Sequence, residues 1–248
     1  MMIKKNFLRL FVFCLGLIFL GAPARAQFTF SGKIEYERKV NLHKLWDGDE
    51  WLESWKDKVP TFIVHYFNMS FNAEQSRYEP GRETELPKMT WGLPPGGDNI
   101  IWHDYKQEKI VAAKNIFEEH FLIRDSVQQH QWKILSEVRT IAGYKCRKAV
   151  TKICDSVYVV AFYTDEIPVS GGPEQMGGLP GMILELAVPR LYTTWVATKV
   201  DVVSVKPDDL KAPDKGKAVT IPQLTATVQK SMKDWGKRAQ RHVWWSVL

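Results

Sequence analysis

Between residues 28 and 39 the chain alternates strictly. Phe28, Phe30, Ile34 and Tyr36 fall on one side of an extended backbone, and Thr29, Ser31, Lys33, Glu35, Glu37 and Lys39 on the other. Period two over twelve residues predicts an antiparallel strand with one wet face. Residues 47–58 break the pattern. Asp47 or Asp49 can cap a short helix there, with Trp51, Leu52 and Trp55 gathered on one side and Pro60 closing it. A strand is expected again at 62–71, followed by a polar, turn-rich segment to Asp98 in which Pro94-Pro95 excludes regular pairing. Apolar runs at 100–105, 109–113, 116–124, 132–138, 144–152 and 157–164 are spaced closely enough for up-and-down connections. Residues 182–188 and 191–203 predict a further hairpin turning at Pro189-Arg190, and 206–217, charged and carrying Pro207 and Pro213, reads as a surface connector. A C-terminal helix is expected over 222–241, with Pro222 in its first turn and Leu224, Val228, Met232 and Trp235 as its apolar stripe. Val243-Trp244-Trp245 is apolar enough to dock on the body of the protein. The pattern describes a mainly β fold: an antiparallel curved sheet or half-barrel, bowl-like, with a short inserted helix and a C-terminal helix.

The most unusual stretch joins two of these strands. Between residues 168 and 181 lie five glycines (Gly171, Gly172, Gly177, Gly178, Gly181) and three prolines (Pro168, Pro173, Pro180). Glycine permits positive φ and close backbone approach, whereas proline fixes φ and removes a donor. Alternating the two suits an ordered loop better than a flexible linker. Such a loop either folds a long connection over the sheet, the favoured reading, or forms the rim of a ligand or partner site.

The first 26 residues have the form of a secretion signal. Lys4, Lys5 and Arg9 precede an apolar run at 10–22, and Ala24-Arg25-Ala26 is a small-x-small cleavage site that makes Gln27 the expected mature N-terminus. The apolar run, thirteen residues before Pro23, is short for a membrane span, which needs about 20. Cys14 lacks the small preceding residues that lipoprotein processing requires. Removing the signal changes the charge argument: the formal net charge of +6 falls to about +2, because four of the 34 basic residues and no acidic ones are lost. With no basic cluster interleaved with aromatics, nucleic acid is set aside as a partner. The remaining 222 residues fit a single domain over 27–248. Ten tryptophans suit a β-rich core or an aromatic-lined concavity.

Candidate chemistry is sparse. Cys146 and Cys154 would lie about 26 Å apart on one strand, and the residues between them are poor turn material, so two thiols are expected rather than a disulfide. Glu118 and His120 would share a strand face, where a carboxylate and an imidazole can bind a metal or act as an acid–base pair; a solvated face explains them as well. Asp165-Glu166 would need an opposing carboxylate about 5–9 Å away to serve as a glycosidase pair. His43 and His103-Asp104 have no recognisable ligand spacing, and there is no helical HExxH, nucleophile elbow or phosphate loop. No catalytic residue, metal ligand or cofactor is assigned.

Two blocks carry a resemblance to a known family. The first is EVRTIAGYKCRKA at 137–149. The second, at 163–186, holds Ile167-Pro168, Gly172-Pro173 and Gly178-Leu179-Pro180-Gly181, with Met182 where leucine is usual. Together they resemble the GLPGLI family of exported Bacteroidetes proteins, which has no established activity. The resemblance implies an exported, mostly β protein, similar to the curved half-barrels of periplasmic lipoprotein carriers, and a link to the bowl-like N-terminal domain of some Bacteroidetes glycosidases, a fold analogy that brings no chemistry. It makes Pro168, Gly172, Pro173, Gly178, Leu179, Pro180 and Gly181 the motif residues and a candidate rim. The expected function is a periplasmic or envelope-associated binding or accessory protein whose partner is an envelope protein, a lipid or a glycan. The alternative is a hydrolase acting on an envelope or carbohydrate substrate.

Overall fold

Twelve strands form one open sheet in the computed structural model, which describes residues 28–88, 92–116, 118–154, 156–235 and 237–248. The expected signal peptide and its cleavage site lie outside the described residues. Two antiparallel meanders make up the sheet. One runs through β1 (Gly32–Asn41), β2 (Phe62–Phe71), β3 (Gln75–Pro80), β4 (Ile100–Asp104), β5 (Lys109–Ile116) and β6 (Glu119–Ser126). The other runs through β7 (Lys133–Ile141), β8 (Tyr144–Ile153), β9 (Val157–Thr164), β10 (Met182–Val188) and β11 (Thr193–Asp201). Antiparallel pairing of β1 with β11 joins them at the centre. A short strand, β12 (Lys217–Val219), lies parallel to β6 at one edge, and β7 forms the other.

The sheet buries one face because its strands keep the period-two pattern. Ile34, Tyr36, Arg38 and Val40 of β1 are all buried, whereas Glu35, Glu37 and Lys39 face outward. Across the pairing, Phe67, Met69 and Phe71 of β2, Tyr78 of β3, Ile101 of β4 and Ala112 of β5 continue the same buried surface. Twelve strands that each twist by about 20–25° do not stay flat. The sheet curls into a bowl, and the buried face is its inside.

Three elements fill the bowl: the Gly/Pro stretch at 165–181, and helices α3 (Ile221–Ser231) and α4 (Lys237–Val247). The β face and the helical stripes thus share one core. Thr220 caps α3 in a reciprocal box with Gln223, and Leu224, Val228 and Met232 are each 1% exposed. Trp195 of β11 meets Trp245 of α4 edge to face, with ring centroids 5.9 Å apart.

Several expectations need correcting. The helix expected over 222–241 is two helices, because α3 stops at Ser231 with Met232 as its C-cap. Trp235, placed on the apolar stripe, is instead 52% exposed. A short helix, α1 (Leu42–Leu45), precedes the helix expected over 47–58, which itself resolves into α2 (Glu50–Glu53) and a 3-10 turn, Lys56–Lys58. Asp49 caps α2 as anticipated, its carboxylate accepting from Leu52 N at 3.1 Å, but Leu52 turns inward and Trp51 outward. The turn-rich segment before Asp98 conceals β3, whose sequence QSRYEP carries little apolar signal. The connector at 206–217 contains a 3-10 turn, Pro207–Leu210, and ends in β12. Phe28 and Phe30 are exposed, since the alternation slips before Gly32.

Candidate functional site

The strap that crosses the bowl, residues 165–181, begins at the end of β9 and returns the chain to β10. Its apolar residues Ile167, Val169, Met176 and Leu179 are at most 2% exposed and belong to the main core. Its backbone is tied down at intervals. Met182 N donates to Ile167 O at 3.0 Å, Ile183 N to Gly171 O at 2.8 Å, Gln175 N to Leu248 O at 3.1 Å, and the Trp132 indole N–H to Gly177 O at 2.9 Å. Of the seven motif residues, Gly172, Pro173, Leu179 and Gly181 are buried, while Pro168, Gly178 and Pro180 reach the surface. Gly181 has φ +150°, and a Cβ there would run into the carbonyl oxygen of Thr164. Gly172 presses on Ile183, whose Cβ would lie 2.8 Å from an added methyl. The motif therefore lets the strap sit against the sheet.

Under the strap is a cluster of charged and polar groups that reading the sequence missed. Arg38 is fully buried. Its Nη1 donates to Pro95 O and Gly96 O at 2.9 Å each, and its Nη2 lies 3.2 Å from Nδ1 of His65. A guanidinium is always a donor, so His65 Nδ1 accepts and the imidazole is neutral. Burial, with Arg38 beside it, pushes His65 down to about 3. Arg38 also sits over the rings of Phe67, at 5.5 Å, and Trp245, at 5.3 Å. Lys114 of β5 is 3% exposed. It donates to Ser246 O at 3.2 Å and Leu248 O at 3.0 Å, and burial lowers it to about 8.

The counter-charge comes from the strap. Glu174 is 1% exposed, with its backbone in the left-handed region at φ +55°. Its Oε2 accepts from Asn99 Nδ2 at 2.7 Å. Burial raises its carboxyl above the usual range, and the charges of Lys114 and Arg38 oppose that rise. The hydroxyl of Tyr78 and the indole of Trp195 lie within electrostatic reach of Glu174. The sequence did hold a signal for two of these residues. Arg38 and Lys114 each continue the core-facing positions of a strand, a place where an unpaired charge is costly. Nothing in the sequence marked Glu174.

The chemistry considered from sequence is not assembled. Glu118 sits in the β5–β6 turn at φ +67°, so it does not share a strand face with His120. His120 instead engages Asn115, which in turn donates to Asp98. Asp165 and Glu166 are exposed, and Glu166 accepts from Lys145 N at 3.3 Å. Asp104 is buried as a turn cap, accepting from Gln107 N at 2.8 Å, and His103 stacks on Tyr105. His43 Nε2 lies 3.2 Å from Val59 O. Cys146 is a buried thiol raised to about 12, while Cys154 is exposed just beyond the far end of the same strand. Among the described residues no group of three or more His, Cys, Asp or Glu is placed to hold a metal ion. No helix among them is long and apolar enough to cross a membrane.

A family model described as N-glycanase peptide, N-terminal domain, matches residues 101–225, half of the chain, including Lys114, Glu174 and the whole strap. Two structures of PNGF-II, in space groups P21 and C2, share the fold with TM-scores of 0.52, each at 16% identity. They cover 80% and 88% of this chain but 32% and 33% of their own, so the chain spans about a third of their length. The complex of Pseudomonas aeruginosa MucA/MucB gives a TM-score of 0.41 at 9% identity over 79% of this chain and 60% of that one, a likeness too slight to carry an argument. No curated protein matches.

Proposed function

The chain belongs to the family described as N-glycanase peptide, N-terminal domain, and from that premise we propose that it is an exported binding or accessory module with no catalysis of its own. The observation that carries this reading is the filled bowl. The concavity where a fold of this shape would hold a substrate is occupied by the strap and by α3 and α4, and Glu174 beneath them is 1% exposed. The buried carboxylates Glu174 and Asp104 each have a structural partner in place, Asn99 and the Gln107 amide respectively. Binding is therefore assigned to the outer surface. The family name favours a glycan-bearing partner in the envelope over a lipid. Export rests on the signal-like first 26 residues, and the GLPGLI resemblance is kept as part of the proposal on its two sequence blocks.

The hydrolase reading has one support, the N-glycanase family itself. Both readings meet in one experiment. The purified chain from Gln27 onward, incubated with an N-glycosylated protein, is expected to retain it on a column and leave its intact mass unchanged. Loss of a glycan's mass would overturn the accessory reading. Failure to retain glycosylated over deglycosylated protein would remove the glycan from it.

A further inference from the structure

Beneath the strap, donors outnumber the acceptors available to them. Among the described residues Arg38 Nε, Tyr78 Oη and Trp195 Nε1 are buried with no partner at ordinary hydrogen-bond geometry, the indole N–H lying within looser reach of Glu174 and Tyr78. The Lys114 ammonium is buried nearby and acts on the same carboxylate. At the centre stands Glu174, with Oε2 accepting from Asn99 and Oε1 also without a partner. Neither Arg38 nor Lys114 is in contact ion pairing with it, so the carboxylate occupies the site without saturating it. Two buried cations, each bonded so far to main-chain oxygens, and further buried donors around the Glu174 carboxylate have the composition of an anion site, because a buried charge is costly until an opposite charge meets it. The backbone supports the same conclusion. Glu174 is held at φ +55°, where residues other than glycine are uncommon, between Pro173 and the Gln175 N–H bond to Leu248 O.

We propose that this enclosure is a carboxylate-binding site, and that Glu174 is its occupant, tethered there by the strap. A tethered ligand has an effective concentration in the millimolar range or above, so free carboxylates do not displace it. Removing its side chain beyond Cβ frees the site. Acetate restores the atoms that Glu174→Ala deletes, a methyl-sized carbon and a carboxylate. The inference stands apart from the accessory reading, since it concerns the interior and not the surface that binds a partner.

Chemical rescue tests it. The thermal midpoint of Glu174→Ala is expected to fall below that of the wild type and then rise saturably with sodium acetate. The rise should be about 4 °C when acetate reaches roughly ten times its dissociation constant. Sodium chloride at matched ionic strength, and benzoate, which is too large, should not produce it, and the wild type should not respond. Equal effects of acetate and chloride, or an equal rise in the wild type, would overturn the proposal. Glu174→Gln keeps the shape and covers the case in which the alanine variant does not fold. It should fold with a lowered midpoint and no acetate response. A glutamine variant as stable as the wild type would show that the donors do not require a carboxylate, and would overturn it too.

Discussion

A buried lysine is a measurable cost, and Lys114 offers one with a clear pH signature. Burial lowers it to about 8 against an ordinary value of 10.5. Below about pH 8 the ammonium is charged in both the folded and unfolded states, and the cost of burying it is fully present. Between about 8 and 10.5 the folded protein has released the proton while the unfolded chain still holds it, so stability rises with pH in that window. Lys114→Met removes the effect. The stability of the wild type relative to this variant should improve by about 2 kcal/mol between pH 7.5 and 9.5, tyrosine ionisation being common to both proteins. Urea midpoints of both proteins at the two pH values check this, and a constant difference would contradict it. The loss of the bonds to Ser246 O and Leu248 O in the variant is the same at both pH values and cancels. At this scale the sequence was half legible. Alternation puts Arg38 on the face of Ile34 and Tyr36, so its burial could have been read, but which group would meet it could not. Glu174 comes from a segment without period, and only the folded strap brings it opposite Lys114.

Among the elements, the strap is the one whose sequence most directly dictates its form. Gly181 joins it to β10 at φ +150°, where a side chain would collide with the Thr164 carbonyl oxygen of β9. Gly181→Val should destabilise the domain by about 3 kcal/mol, the strained backbone and the collision acting together. It should lower the thermal midpoint whether or not a partner is present. A midpoint unchanged by the substitution would mean that the motif serves a partner and not the fold. Strands with strict alternation, β1 above all, were plain in the sequence, and so was the hairpin of β10 and β11 with its turn at Pro189-Arg190. What failed was local. β3 is short and polar because one of its faces meets solvent, and the C-terminal helical pattern runs on past Met232 although the backbone turns there. A periodic stripe reports which side would be buried, not whether the helix continues.

At the scale of the molecule, the two meanders and the elements that fill them make one body in which the Gly/Pro strap is core. The curved antiparallel sheet was legible, since many short alternating strands with tight turns build an all-β sheet that curves or closes. The filling of the bowl was not. It depends on long-range contacts between residues such as Gln175 and Leu248 that no local pattern records. Hydrogen exchange followed by mass spectrometry on the purified protein tests this claim most directly. The amides of Gly171 and Gln175 in the strap should exchange as slowly as those of β9 and β10, because they are bonded to Val169 O and Leu248 O within the same core. Exchange of residues 167–181 within seconds, while β9 and β10 stay protected, would show an open bowl with a loose rim and contradict the account.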